Sequence, residues 1–195
     1  MKILTLVTLL LIGPLLGCLR ATQATRTNSV VEQLSHLLAP QKVQVSAATM
    51  SSPPSAGTRE LRVKWVTGNA ASTSEQPKPG PPPVGIFSIA AQQRYSEAPS
   101  RQRSLEIATG RILIAAVDRS NRLKSWSVIP DPRILRSEGP GPDGTLTGQA
   151  LHMEQAEFFL SIPDDPEIVE LRLYEPQLNG TEYRLSPVGS ITLSR

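Results

Sequence analysis

The chain has 195 residues, of which 20 are basic and 17 acidic, and its aromatic content is only 4 %. This length accommodates one ordinary domain with a leader and some linker. The net charge is small, and the arginines are scattered from Arg20 to Arg195 without a basic stripe interleaved with aromatics, which argues against a nucleic-acid partner. Eighteen prolines and thirteen glycines favour short strands joined by turns over a helical bundle.

The N-terminus has the pattern of an export signal. Lys2 supplies a short positive region, and an apolar run follows that ends at Leu16. A run of about fourteen residues is too short for a bilayer core, which needs about twenty, and it matches the apolar region of a signal peptide. We therefore expect residues 1–17 to direct export.

The run closes on Leu15-Leu16-Gly17-Cys18, which resembles the bacterial lipobox. The resemblance implies that Cys18 is acylated and becomes the N-terminus after cleavage. Cys18 is the only cysteine, so the exported chain can form no internal disulfide. Two or three acyl chains make a stable membrane anchor, because each buried methylene contributes about 0.8 kcal/mol. The alternative is ordinary cleavage after Ala24, which would remove Cys18 and release the protein.

The position after Cys18 bears on the destination. In the enteric sorting rule, an aspartate there retains a lipoprotein in the inner membrane. Leu19 occupies this position, so in a Gram-negative cell the prediction is delivery to the outer membrane of the cell envelope.

A tether and a short helix are predicted next. Residues 18–28 are polar and lack periodicity, which is typical of a flexible linker. Over residues 29–40, apolar residues recur at helical spacing, Ser29 and Glu32 have the form of a capping box, and Pro40 ends the pattern. A helix of about three turns is marginal alone, so we expect it to cover one end of the domain core.

Residues 41–195 are predicted to form a β domain. Alternating apolar and polar residues indicate strands around Trp65, Phe158 and Leu171, and Arg111 to Asp118 is apolar on both faces, as in a central strand. This central strand leads through a turn into an alternating stretch with Trp126, which indicates a hairpin. Further strands are predicted over 42–48, 84–90 and 146–153.

Eight or nine short strands predict a two-layer antiparallel, immunoglobulin-like β-sandwich, with a jelly roll or small barrel as the alternative. Trp65, Trp126, Phe158 and Leu171 are then expected to point between the two sheets. Residues 68–83 are rich in proline, cannot form a strand ladder and are predicted to be a loop.

Few residues suggest catalysis or metal binding. The two histidines, His36 and His152, are not in a metal-spacing pair. His152 could be assembled in space with Asp143 or Glu154, but no nucleophile signature accompanies it. We therefore expect no enzyme activity and no cofactor.

Four turn sequences have a functional or a structural interpretation. Asp143-Gly144 and Asp164-Asp165-Pro166 could bring oxygen ligands for Ca²⁺ to one end of the domain, but both sequences are typical of plain turns, and no metal site is predicted. Asp131-Pro132-Arg133 is predicted to be a rigid turn. Asn179-Gly180-Thr181 is predicted to be a hairpin turn.

The block from Ile112 to Tyr174 also resembles accessory β-sandwich domains of exported bacterial peptidases. The resemblance rests on the strand, turn and tryptophan pattern, on the Asp131 to Arg133 turn, and on the strand pair from Phe159 to Tyr174. The chain has no His-Glu-x-x-His sequence, so the resemblance implies no peptidase activity.

Together these patterns predict a non-catalytic cell-envelope lipoprotein. Its partners are the membrane, through lipid on Cys18, and a protein or envelope polymer bound by loops at one end of the domain. Two alternatives remain open. One is an envelope enzyme with a site near His152, and the other is a secreted, non-lipidated accessory domain of an exported complex.

Overall fold

The computed structural model describes residues 29–47, 57–67, 85–98, 102, 104–140 and 146–194. Cys18, the tether, the proline-rich stretch and Asp143 lie outside these residues. In the described part the protein is mainly β, with a short N-terminal helix, α1, over residues 29–38 and a 3-10 turn at Ala39–Gln41. None of the helices in these ranges is long and apolar enough to span a membrane.

Nine strands form three antiparallel sheets within the described ranges. The sheet orders are β2-β1-β7, β4-β3-β8-β9 and β5-β6. The strand bounds are β1 Thr58–Thr67, β2 Gly85–Tyr95, β3 Arg111–Val117, β4 Leu123–Pro130, β5 Ile134–Pro140, β6 Leu146–His152, β7 Gln155–Pro163, β8 Glu170–Asn179 and β9 Glu182–Thr192.

The first core lies between the two larger sheets. Because side chains alternate across a strand, β1 directs Leu61, Val63 and Trp65 to one face, where they meet the inward residues of the four-stranded sheet. Phe158 and Leu171 belong to the same core, so the predicted orientation of Trp65, Phe158 and Leu171 is confirmed. The buried members are Leu61, Val63, Trp65, Ile112, Ile114, Ala116, Leu160, Ile162, Ile168, Leu171, Leu173, Val188, Ile191 and Leu193.

A second core lies on the outer face of the four-stranded sheet, under α1. Leu34 and Leu38 are fully buried there against the alternate side chains of β3. The helix therefore covers a sheet face, and the expectation that it covers one end of the core is wrong. This placement buries β3 on both faces, as its apolar sequence predicts.

Trp126 belongs to the second core, where it is partly buried. The prediction that it points between the sheets is wrong. Trp126 shares a face of β4 with Val128, and that face is the one that α1 covers. Alternation shows which residues share a face, but it does not show which layer covers that face.

The predicted strand over 42–48 is also wrong in the described part, where Gln44 makes only an isolated parallel bridge with Arg122. Lys42 adopts a left-handed φ of 58° after the 3-10 turn, and Val43 packs into the second core instead of extending a sheet. The strands predicted over 84–90 and 146–153 correspond to β2 and β6.

Two of the connections between strands form the hairpin turns that the sequence predicts. β3 and β4 form the predicted hairpin, and β8 and β9 are joined at Asn179-Gly180-Thr181, where Gly180 has a φ of 65°. The sequence pattern did not predict β5, because the glycines and prolines after Glu138 indicated a turn. In the structure Gly139 pairs with Thr147 inside the β5–β6 hairpin.

Candidate binding site at one end of the sheets

A cavity of about 650 Å³ lies at the end of the two larger sheets where β1 and β8 begin and β9 ends. Its volume falls within the roughly 300–1,000 Å³ of small-molecule sites. We call it the arginine pocket. Its lining residues are Arg59, Arg94, Arg119, Pro166, Ile168, Val169, Glu170, Thr192, Leu193 and Ser194.

Arg59 is the most buried charged group of the arginine pocket, with only 4 % of its surface exposed. Its Nε and Nη2 both donate to one oxygen, Oδ1 of Asp164, at 3.2 and 2.9 Å. A guanidinium has five N–H donors, and the others have no partner among the residues that the structure describes. Arg59 is therefore held in place by one carboxylate oxygen, and its other N–H groups can donate further hydrogen bonds.

Arg94 and Arg119 add further positive charge. Arg94 Nε lies 3.5 Å from the same Asp164 Oδ1, while Arg119 is exposed and forms no ion pair within the described ranges. The one acidic residue of the lining, Glu170, accepts a hydrogen bond from Arg172 Nε at 2.8 Å. Two guanidinium groups, those of Arg59 and Arg94, thus share the carboxylate of Asp164, and Arg119 adds a third positive charge to the lining.

The backbone at this end is fixed by the strand ladder. The N–H of Asp164 donates to the carbonyl of Gly57 at 2.9 Å, and the Thr58 hydroxyl donates to the carbonyl of Glu97 at 2.5 Å. The apolar wall is equally ordered, because the N–H of Leu193 donates to the carbonyl of Val169 at 2.9 Å. The pocket is formed by element ends that the sheets hold in register.

The turn that carries Arg119 is organised by Asp118, which is buried. Burial alone would raise the pKa of Asp118, but hydrogen bonds from the N–H and side chain of Arg122 and from the N–H of Ser120 outweigh it and lower the pKa below its usual range. Asp118 is therefore occupied by Arg122, and its charge is not available to neutralise Arg119.

The rim beside Pro166 is held by a second ion pair. Lys124 Nζ lies 2.6 Å from Glu167 Oε2 and 3.7 Å from Asp165 Oδ2. The hydrogen bond to Glu167 raises the pKa of Lys124, and the same bond lowers the pKa of Glu167. Asp165 Oδ1 also accepts the N–H of Glu167 at 2.8 Å. Both carboxylates of the Asp164-Asp165 turn thus contact cations of the protein itself.

The opposite end of β1 is closed. The guanidinium of Arg133 lies 4.0 Å from the centre of the fully buried Trp65 ring. Arg133 Nη2 and Nε donate to the two carboxylate oxygens of buried Asp131 at 2.7 and 3.1 Å. The predicted rigid turn Asp131-Pro132-Arg133 is therefore a structural element that seals the core at this end.

The hypothesis of a site at His152 stays a prediction, because Asp143, one of its proposed partners, lies outside the described residues. His152 is exposed on β6, where it lies opposite Ile134 in the strand ladder. Its side chain has no hydrogen-bond partner among the described residues. The carbonyl of Glu154 accepts the N–H of Thr67, which places Glu154 at the far end of β1, about 26 Å from Arg59 at the strand rise per residue. In the described ranges no three histidine, cysteine, aspartate or glutamate side chains are grouped to hold a metal ion.

The sequence interpretation missed Arg59, Arg94 and Arg119. A signal existed for Arg59, because it shares the odd-numbered face of β1 with Leu61 and Trp65, which is the face that the core covers. An arginine at a core-facing position is rare unless it is paired. Arg94 is brought to the pocket by the register of β2 against β1, and Arg119 is brought there by the turn after β3. No local sequence pattern predicts either placement.

The fold and the pocket define the class of protein: a mainly β domain of three sheets with an arginine-lined cavity at one end of the larger two. Comparisons with protein-family models, with curated proteins and with solved structures found no match to the chain. Its function is therefore inferred from the residues of the pocket and from the pattern of the N-terminal sequence.

Proposed function

We propose that the protein is a non-catalytic lipoprotein of the bacterial cell envelope, attached to a membrane through lipid on Cys18. Its β domain binds an envelope component, protein or polymer, at the arginine pocket. The observation that supports this role is a cavity lined by three arginines at an open end of the sheets, where the guanidinium groups of Arg59 and Arg94 share the carboxylate of Asp164. The face-to-face packing of the two larger sheets supports an immunoglobulin-like sandwich, in which binding residues cluster at one end.

The tether limits where the ligand can be. Residues 18–28 connect the acylated cysteine to α1, and a fully extended chain spans at most about 3.3–3.6 Å per residue. The domain is then held within roughly 40 Å of the membrane surface. A component of the envelope close to that surface is the expected partner.

Attachment is tested by labelling. Expressed in a bacterium, the protein should incorporate radioactive or alkyne-tagged palmitate and partition into detergent, whereas Cys18→Ser should do neither. A Leu19→Ala variant, which keeps the cysteine, serves as the control and should label normally. Equal labelling of Cys18→Ser would remove the lipoprotein assignment.

The binding role is tested by sedimentation with washed envelope fragments. The Cys18→Ser chain should co-sediment with the fragments, and the double variant Arg94→Glu/Arg119→Glu should remain in the supernatant. Arg136→Glu/Arg184→Glu changes the net charge equally at two exposed sites outside the pocket and should sediment like the parent chain. Co-sedimentation of both double variants to the same extent would contradict the proposed role.

A further inference from the structure

We propose that the arginine pocket recognises a monocarboxylate carried on a small aliphatic body. This inference rests on the proposed binding role and names the chemistry of the ligand. It follows from three features of the pocket: an incompletely paired buried arginine, an unfavourable pairing of like charges, and an aliphatic wall beside them.

The first feature is the burial of Arg59. A buried charge costs stability unless it is paired and its remaining donors are satisfied. Arg59 has one carboxylate oxygen as its partner in the described part of the chain, and it lines an open cavity. An anion that enters the cavity would supply the missing acceptors.

The second feature is the strand register. Arg59 of β1 lies directly opposite Arg94 of β2 in the antiparallel ladder. Like charges directly opposite each other destabilise a sheet, and Asp164 offsets this pair through only one oxygen. A folded domain that retains such a pair at the mouth of a cavity has the electrostatics of an anion site.

The geometry favours a planar anion. Asp164 accepts from Nε and Nη2 of Arg59, which leaves the edge formed by Nη1 and Nη2 without a partner among the described residues. This edge matches the two oxygens of a carboxylate in a bidentate pair. Arg94 and Arg119 lie on the same cavity and provide the long-range attraction.

The rest of the lining selects the body of the ligand. Ile168, Val169 and Leu193 form an aliphatic wall together with Pro166, so burial of an apolar group adds affinity. Glu170 and the adjacent Asp164 are negative, and they disfavour a phosphate, which carries about −1.5 to −2 charges near pH 7. A single carboxylate with an aliphatic substituent meets both constraints.

The test is a calorimetric titration of the detergent-solubilised full chain. The probes are N-acetyl-leucine, its uncharged amide N-acetyl-leucinamide, and inorganic phosphate. N-acetyl-leucine should bind with a millimolar or lower Kd, at least ten times more tightly than the amide or phosphate, and high salt should weaken the binding. Equal affinity for the acid and the amide, tighter binding of phosphate, or no binding of N-acetyl-leucine would overturn the proposal.

Variants locate the site. Arg119→Gln and Arg94→Gln are substitutions of exposed side chains, so the fold should survive, and each should weaken N-acetyl-leucine binding several-fold. Arg136→Gln is the matched control and should leave the Kd unchanged. Unchanged binding in both pocket variants would also overturn the proposal.

The two proposals can fail separately. Charge-dependent co-sedimentation without preference for N-acetyl-leucine would overturn the ligand class and leave the binding role intact. A preference for N-acetyl-leucine without charge-dependent co-sedimentation would uphold the ligand class and overturn the envelope-binding role.

Discussion

Two arginines lie at opposite ends of the space between the sheets, and their surroundings differ. Arg133 has the buried face of Trp65 on one side, both oxygens of Asp131 on its edge, and Glu175 at 3.8 Å. Arg59 is at least as buried, but its partner is a single oxygen of Asp164, which Arg94 also approaches. The Arg133 end is sealed, whereas the Arg59 end opens on a cavity.

The difference separates two uses of the same side chain. A guanidinium that is stacked on tryptophan and paired with both oxygens of a carboxylate is held by strong contacts within the fold. It contributes stability and rigidity to that end. A guanidinium that shares one carboxylate oxygen with a second arginine beside a cavity is less fully paired within the fold. We interpret the second arrangement as a binding site and the first as a structural element.

The largest effect is expected at the sealed end. Trp65→Ala removes a fully buried ring that contacts Phe87 and Arg133, and such truncations typically cost about 3–5 kcal/mol. At roughly 2–4 °C per kcal/mol for a chain of this size, the Tm should fall by about 10 °C. Phe159→Ala, at an exposed position, is the control and should melt close to the parent. A parental Tm for Trp65→Ala would mean that this end is not sealed.

The two carboxylates allow a direct comparison of the two ends. Asp131→Asn removes the closest charged partner of Arg133 in a buried setting, and loss of one member of such a pair costs about 3 kcal/mol. The Asp164 carboxylate is partly exposed, unlike that of Asp131, so solvent screening limits the loss for Asp164→Asn to about 1 kcal/mol. Urea unfolding of the two variants measures both values. A larger loss for Asp164→Asn would reverse the assignment of the structural end.

Close packing at the sealed end is tested by adding one methyl group. A Cβ at Gly85 would lie 2.1 Å from Nε1 of Trp65, so the ring or the strand must shift. Overpacking of this kind costs about 1–3 kcal/mol. A Cβ at Gly148 meets nothing within 4 Å, and Gly148→Ala should not lower the Tm. Equal melting of the two variants would show that Gly85 faces open space.

The smallest effect concerns pH. The lowered pKa of Asp118 means that its ionised form stabilises the folded protein above the ordinary aspartate pKa of about 4, and that this stability is lost as the pH falls through the lowered pKa. The Tm of Asp118→Asn should therefore lie roughly 2–4 °C below the parent at pH 7, and the gap should close below about pH 4. Glu167→Gln, at an exposed site, is the control with little effect. A gap that widens in acid would contradict the assignment.

The sequence predicted the parts of this molecule that depend on local pattern. Alternation placed Trp65 and Leu171 in the first core, and the doubly apolar run predicted that β3 is buried on both faces. Trp126 was misplaced because the same alternation cannot show that a helix, far away in the sequence, covers the outer face of its sheet. Predicted helical spacing likewise showed that α1 must dock, but not on which surface.

Local sequence pattern also predicts the arginine pocket only in part. Arg59 could have been predicted as a core-facing residue, because it lies two residues before Leu61 on β1 and therefore shares its face. Its opposition to Arg94 depends on a strand register that the long connection between β1 and β2 does not encode locally. Arg119 enters through the β3–β4 turn. Sites built from the ends of several strands arise only when the sheets assemble.

The most direct measurement follows the side-chain Nε–Hε resonances of Arg59 and Arg133 in one NMR titration with N-acetyl-leucine. The Arg59 resonance should shift in a saturable way, and N-acetyl-leucinamide should leave it in place. The Arg133 resonance should stay unchanged throughout and exchange slowly with water, because Trp65 and Asp131 enclose it. A saturable shift at Arg133 with none at Arg59 would contradict the distinction between a sealed structural end and an open binding end.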